Sequence, residues 1–185
     1  MWMMAPLGTA AVAIGAGVLT YNRLQALDQR CDTAFADIDV QLKHRHNLIP
    51  QIVQTVKSFA GQEKGILDGV VAARGKALAA RSQEEQLAAE WSLGRQLTQL
   101  MSVVESYPQL QSSAHFTELR REISDVENKI AAARRFLNLA VDEYNATLRQ
   151  FPGNMLARAF GMSRRRGYDL GVERVLIDDP APLAL

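Results

Sequence analysis

Three histidines and a scatter of acidic residues are the side chains in this sequence that could do chemistry. In a helical protein the chemistry to test first is a carboxylate-bridged metal pair, which needs Glu-x-x-His on facing helices. None exists: His44 follows Gln41, His46 follows Lys43 and His115 follows Ser112 at that spacing. Asp37, Asp39, His44 and His46 form a polar cluster, but positions two apart do not share a helix face and the intervening Arg45 would repel a cation. They read as a solvated helix end, and no metal site is expected. There is no glycine-rich phosphate loop, no G-x-S-x-G elbow and no Cys–His pairing. No catalytic residue and no cofactor is expected, so the chain reads as a non-enzyme. Cys31, a lone cysteine in an apolar stripe, reads as a buried thiol. Glu63 interrupts an apolar seam; it either meets a Lys or Arg from a facing helix, fixes register, or marks a seam that drifts and exposes it.

With chemistry sparse, the elements that carry these residues become informative. The 185 residues suffice for one core with short appendages. Hydrophobic residues make up 48% and aromatics only 6%, a balance typical of helix bundles. A formal charge of +1, the difference between 21 basic and 20 acidic residues, argues against nucleic acid as a partner.

From Met1 to Asn22 there is no charged side chain. As a helix that stretch would rise about 33 Å, near the thickness of a bilayer's hydrocarbon. Residues 1–22 are therefore predicted to be a transmembrane anchor. Basic residues flank it only on the C-terminal side, at Arg23 and Arg30, which places the N-terminus outside and the body in the cytoplasm. Gly8, Ala11, Gly15 and Gly17 are small residues through which such spans pack together, or simply the ordinary small-residue content of a span.

Residues 23–150 are predicted to form an antiparallel, up-down-up-down four-helix bundle, making the fold class all-α. Helix one carries Leu24, Leu27, Cys31, Phe35, Ile38 and Leu42. A reversal is placed at residues 45–50, where Asn47 could cap a helix with Pro50 in its first turn; the rival is one long helix kinked at Pro50. Helix two spans Ile49 to about Leu78, a Ser82 to Glu85 capping box opens helix three, and Tyr107-Pro108 closes it. Helix four keeps its seam from Phe116 to Phe151. An even number of helices returns the chain to the bilayer. The tail, residues 151–185, is accordingly read as a membrane-proximal basic segment, partly disordered, with Arg158, Arg164, Arg165 and Arg166 near anionic lipid.

Tyr21-Asn22, the run from Asp37 to Pro50, Val56-Lys57 and Glu63 match a known pattern, continued by Tyr107-Pro108, Glu127 to Arg134, Tyr144-Asn145, Phe151-Pro152 and Phe160-Gly161. In these residues the chain resembles the LemA family over roughly residues 17 to 165. The resemblance implies a single N-terminal span, a cytoplasmic four-helix bundle and no established enzymatic activity, and by analogy with a magnetosome-formation member it suggests a role in organising membrane. The expectation is a single-pass scaffold or assembly protein of the bacterial inner membrane, homo-oligomeric, with lipid as a partner. The alternative is an adaptor for another membrane protein, a protease or signalling kinase, contacted through a tip formed by Asp37, Asp39, Lys43, His44, Arg45 and His46.

Overall fold

Leu24, Leu27, Cys31, Ala34, Ile38, Leu42, Arg45, Ile49, Ile52 and Val56 recur at steps of three and four, and all are buried. Steps that keep this rhythm past residue 45 without a break suit a single helical face. In a computed structural model that describes the backbone of residues 4–168 and the side chains of residues 14–168, it lies on one continuous helix, α1 (Met4–Phe59). There follow α2 (Lys64–Ala79), α3 (Gln83–Val104), α4 (Pro108–Gln111), α5 (Ala114–Arg149) and α6 (Gly153–Phe160), with no strand among the described residues. Among those residues no helix is long and apolar enough to cross a membrane. The side chains of residues 1–13, on which the expected anchor largely rests, lie outside them.

The reversal expected at residues 45–50 is replaced by helix: Asn47 caps nothing and Pro50 lies inside α1. A mid-helix proline lacks the N–H that would bond the carbonyl four residues back, here that of His46. That carbonyl is not left bare, because Arg74 Nε on α2 donates to it at 2.7 Å. Pro50 itself is exposed, so its ring displaces nothing in the core. The chain turns instead at Ala60–Glu63, where Ala60 N donates to Val56 O (2.8 Å) and Glu63 N to Ala60 O (3.1 Å). The predicted second helix is thus two elements: its first half completes α1, and its second half is α2 with Leu67, Val70, Ala73 and Ala77 buried.

The chain divides into two compact units, Val40–Ile130 and Met1–Asp39 with Ala131–Leu185. In the first of these, α2 and α3 pack against each other, joined by a short link. Ser82 caps α3 by accepting from Glu85 N (3.2 Å), while Glu85 Oε2 accepts from Arg81 N (2.9 Å). The expected box forms, displaced by one residue on its return bond. Leu93, Leu97, Leu100 and Val104 from α3 join Phe116, Leu119, Ile123 and Val126 from α5 in the core. Pro108 opens the short α4 at its first turn.

In the other unit, α1 buries Leu24, Leu27, Cys31 and Ile38, and α5 buries Leu137, Ala140, Val141, Tyr144 and Leu148. Arg23 and Arg30 of α1 both reach Glu143 of α5, at 3.4 and 3.2 Å. Burial raises the pKa of the Cys31 thiol, which keeps it protonated and unreactive. Gly153 opens α6 so close to the end of α5 that a Cβ would stand 2.2 Å from Thr147 O. Gly161 closes it at φ 67°, a left-handed cap that only glycine adopts without strain.

A double-mutant cycle checks the Pro50 account. Arg74→Met should cost about 1–3 kcal/mol, the loss from an unsatisfied buried carbonyl. In a Pro50→Ala background, where residue 50 regains an N–H for that carbonyl, the same change should cost much less. Equal costs in urea unfolding of the two backgrounds would show that Arg74 does not serve His46.

Candidate functional site

The stripe on α1 contains one charged residue, Arg45, and the stripe on α3 continues backward from Leu93 by three residues to Glu90. Both side chains are buried, at 2% and 0% exposure, and Arg45 Nη2 donates to Glu90 Oε2. Arg45 Nη1 donates to Glu127 on α5 at 2.7 Å. His46 Nε2 stands 2.8 Å from Glu90 Oε1, close enough to pair though not aligned for a well-formed hydrogen bond. Residues 45 and 46 thereby join α1 to α3 and α5, and the Arg74 bond to His46 O adds α2 at the same level. At the margin His44 Nε2 lies 3.2 Å from Glu122 Oε1.

The electrostatics close within the cluster. Burial alone would push the Glu90 pKa up, but the close approach of His46 and the charge of Arg45 outweigh it and hold the carboxyl below its ordinary range. Burial likewise opposes the Arg45 charge, and Glu127 with Glu90 overcomes it, so the guanidinium pKa is raised. Both members are ionised at neutral pH. The cluster can thus hold four helices in register. Among the described residues no group of three or more His, Cys, Asp or Glu side chains is placed to hold a metal ion.

The predicted contact residues separate. Asp37 and Lys43 are exposed, Asp39 and His44 partly so, and Arg45 and His46 face the interior. They do not form a tip, because the segment is the middle of α1 and the turn lies beyond it at Ala60–Glu63. Glu63 leaves the seam too. It precedes α2 in that turn and accepts from the Tyr107 hydroxyl (2.8 Å), which in turn accepts from Gln62 Nε2 (2.9 Å). The seam drifts off it because α1 has ended before residue 63. Of the small residues expected to pack spans together, Gly8 and Ala11 lie outside the described side chains. At Gly15 and Gly17 an added Cβ would meet nothing within 4 Å.

The four tail arginines are likewise divided. Arg158, Arg164 and Arg166 are exposed. Arg165 turns inward and binds Asp28 and Asp32 of α1, each at 2.5 Å, and its pKa rises with those hydrogen bonds, Asp32 first. Behind it the chain is strapped to α5 by two asparagines. Asn145 accepts from Arg165 N (3.1 Å) and donates to Arg165 O (2.9 Å); Asn138 does the same for Tyr168, at 2.8 and 3.3 Å. Seven helical residues rise about 10 Å and three extended residues span about the same, so the two asparagines match the strap's repeat. Tyr144 adds a bond to Ser163 O (3.2 Å), and Arg134 lies 4.7 Å from the Tyr168 ring centre.

The model of the LemA family matches residues 34–176. Magnetosome protein MamQ 2 and magnetosome protein MamQ 1 of Paramagnetospirillum magneticum are each 24% identical to the chain, over 80% of this chain and 64% of the relative. Magnetosome protein MamQ of Magnetospirillum gryphiswaldense is 22% identical with the same coverage. The chain spans about 64% of the length of these curated relatives.

Removing one member of the buried pair should be costly: Glu90→Gln is expected to lose roughly 3–5 kcal/mol at neutral pH, because Arg45 stays buried with Glu127 alone. Since the folded Glu90 pKa lies below its unfolded value, its contribution is present above the ordinary carboxylate range and is lost as pH falls through the folded pKa. Denaturant melts of both proteins should therefore converge on acidification. A gap that stays constant down to strongly acidic pH would rule out this linkage.

Proposed function

The chain belongs to the LemA family, and we propose that it is a membrane-anchored helical scaffold that assembles with copies of itself and organises membrane or membrane-protein complexes without catalysing a reaction. The observation that carries this is the charge-free stretch from Met1 to Asn22, which in sequence leads straight into the buried stripe of α1. In this reading residues 1–22 cross the bilayer of the bacterial inner membrane once. The uncovered Ile14, Val18 and Leu19, exposed by 54% or more, then face lipid. Arg23 and Arg30, just after the uncharged stretch, favour a cytoplasmic body by the positive-inside rule. The helices of Val40–Ile130 serve as a four-helix bundle whose register is set by Arg45 and Glu90.

Self-assembly is supported by Gly15 and Gly17, whose surroundings leave room for a second helix to approach closely. The names of the relatives, magnetosome proteins, fit a role in building or shaping a membrane compartment. The adaptor reading through residues 37–50 loses its central pair, since Arg45 and His46 are buried.

Light scattering of the full-length chain in mild detergent, with the detergent mass subtracted, tests the assembly. A defined oligomer that shifts to monomer on Gly15→Leu with Gly17→Leu is the expected result. A monomer in the unaltered chain, in detergent and in nanodiscs alike, would defeat the scaffold reading.

A further inference from the structure

Three large apolar side chains around α6 are left uncovered: Phe151 is 78% exposed, Met155 62% and Phe160 60%. The helix itself buries only Gly153 and Ala157. Phe151 precedes the helix in the turn after α5, and Met155 lies on the side of α6 away from that buried pair. The segment has a charge pattern to match. From Tyr144 to Tyr168 the chain has no Asp or Glu but includes Arg149, Arg158, Arg164, Arg165 and Arg166. Arg165 is consumed by Asp28 and Asp32, while Arg149, Arg158 and Arg164, in the same stretch of sequence as the apolar side chains, are exposed.

The location of the patch points to its occupant. Phe160 lies against Tyr21 of α1, ring centres 4.8 Å apart, and Tyr21 stands at the very end of the uncharged N-terminal stretch. A segment that adjoins the proposed span, exposes large apolar side chains and arginines and is free of acid has the chemistry of one lying in an anionic lipid surface. The helix is also held in place beforehand. Gly153 seats it against Thr147 O, and the Arg165 ion pairs with the Asn145 and Asn138 bonds fix the strap behind it. Lipid contact therefore requires no new folding.

We propose that α6 is an interfacial foot: Phe151, Met155 and Phe160 enter the boundary between headgroups and acyl chains, and Arg149, Arg158 and Arg164 bind anionic headgroups. This rests on the anchor reading above, and the test separates the two. The full-length chain is labelled with an environment-sensitive fluorophore at Met155→Cys on α6, at Ile14→Cys in the anchor, or at exposed Lys43→Cys, with Cys31 buried and left in place. Each is reconstituted in nanodiscs of phosphatidylcholine and phosphatidylglycerol with lipids spin-labelled at shallow or deep acyl positions.

The Met155→Cys probe should be quenched most by shallow labels and several-fold less in phosphatidylcholine alone, with Ile14→Cys quenched in both lipids and Lys43→Cys in neither. If Ile14→Cys is quenched while Met155→Cys behaves like Lys43→Cys, the foot is disproved and the anchor stands. If neither is quenched, both fail. A Met155→Cys probe shielded from water but untouched by lipid quenchers would mean that protein covers the face, which also overturns the proposal.

Discussion

A buried guanidinium that bonds two carboxylates from two other helices sets the terms for the unit formed by Val40–Ile130. Arg45 sits where the α1 stripe demands an apolar side chain, and its charge is tolerable there only because Glu90 arrives from α3 and Glu127 from α5. A one-residue slip of either partner would strand a charge in the core. A buried pair of this kind is costly to break from one side only, which ties the helices that carry it to one register.

Pro50 depends on that same level of the helix. Its missing bond frees the carbonyl of His46, the neighbour of Arg45, and Arg74 takes it up. The element that would ordinarily break a helix becomes a point at which a second helix is fastened. The buried cluster and the proline are one device: α1 reaches α3 and α5 through side chains and α2 through a backbone oxygen released by the proline.

The other unit uses a different means. Its tail is held by backbone-to-amide bonds from Asn138 and Asn145 and by the Arg165 ion pairs, and only lightly by apolar burial. That economy leaves the aromatic and methionine side chains of α6 outside the core.

The sequence by itself determined that the protein is helical and which family it belongs to, because periodicity of three and four and the Asp37-to-Pro50 run are properties of the chain alone. It determined most of the core: Leu93, Leu97, Leu100, Phe116, Ile123 and Leu137 all lie where their spacing puts them. The course of the helix through Pro50 has its own trace in the steps from Leu42 through Arg45 to Ile49 and Ile52, but Asn47 followed by Pro50 reads locally as the cap and first turn of a new helix, and a charged residue in a stripe argues for no core there. Only the tertiary structure brought Glu90 and Glu127, separated from Arg45 by 45 and 82 residues, to neutralise it. It likewise decided that Arg165 turns inward while Arg158 and Arg164 do not, since a run of like residues carries no signal of which one will find Asp28 and Asp32. The physical reason is the same in both cases. Apolar patterning is periodic along one chain, whereas a buried charge is permitted only by partners that the fold delivers from elsewhere.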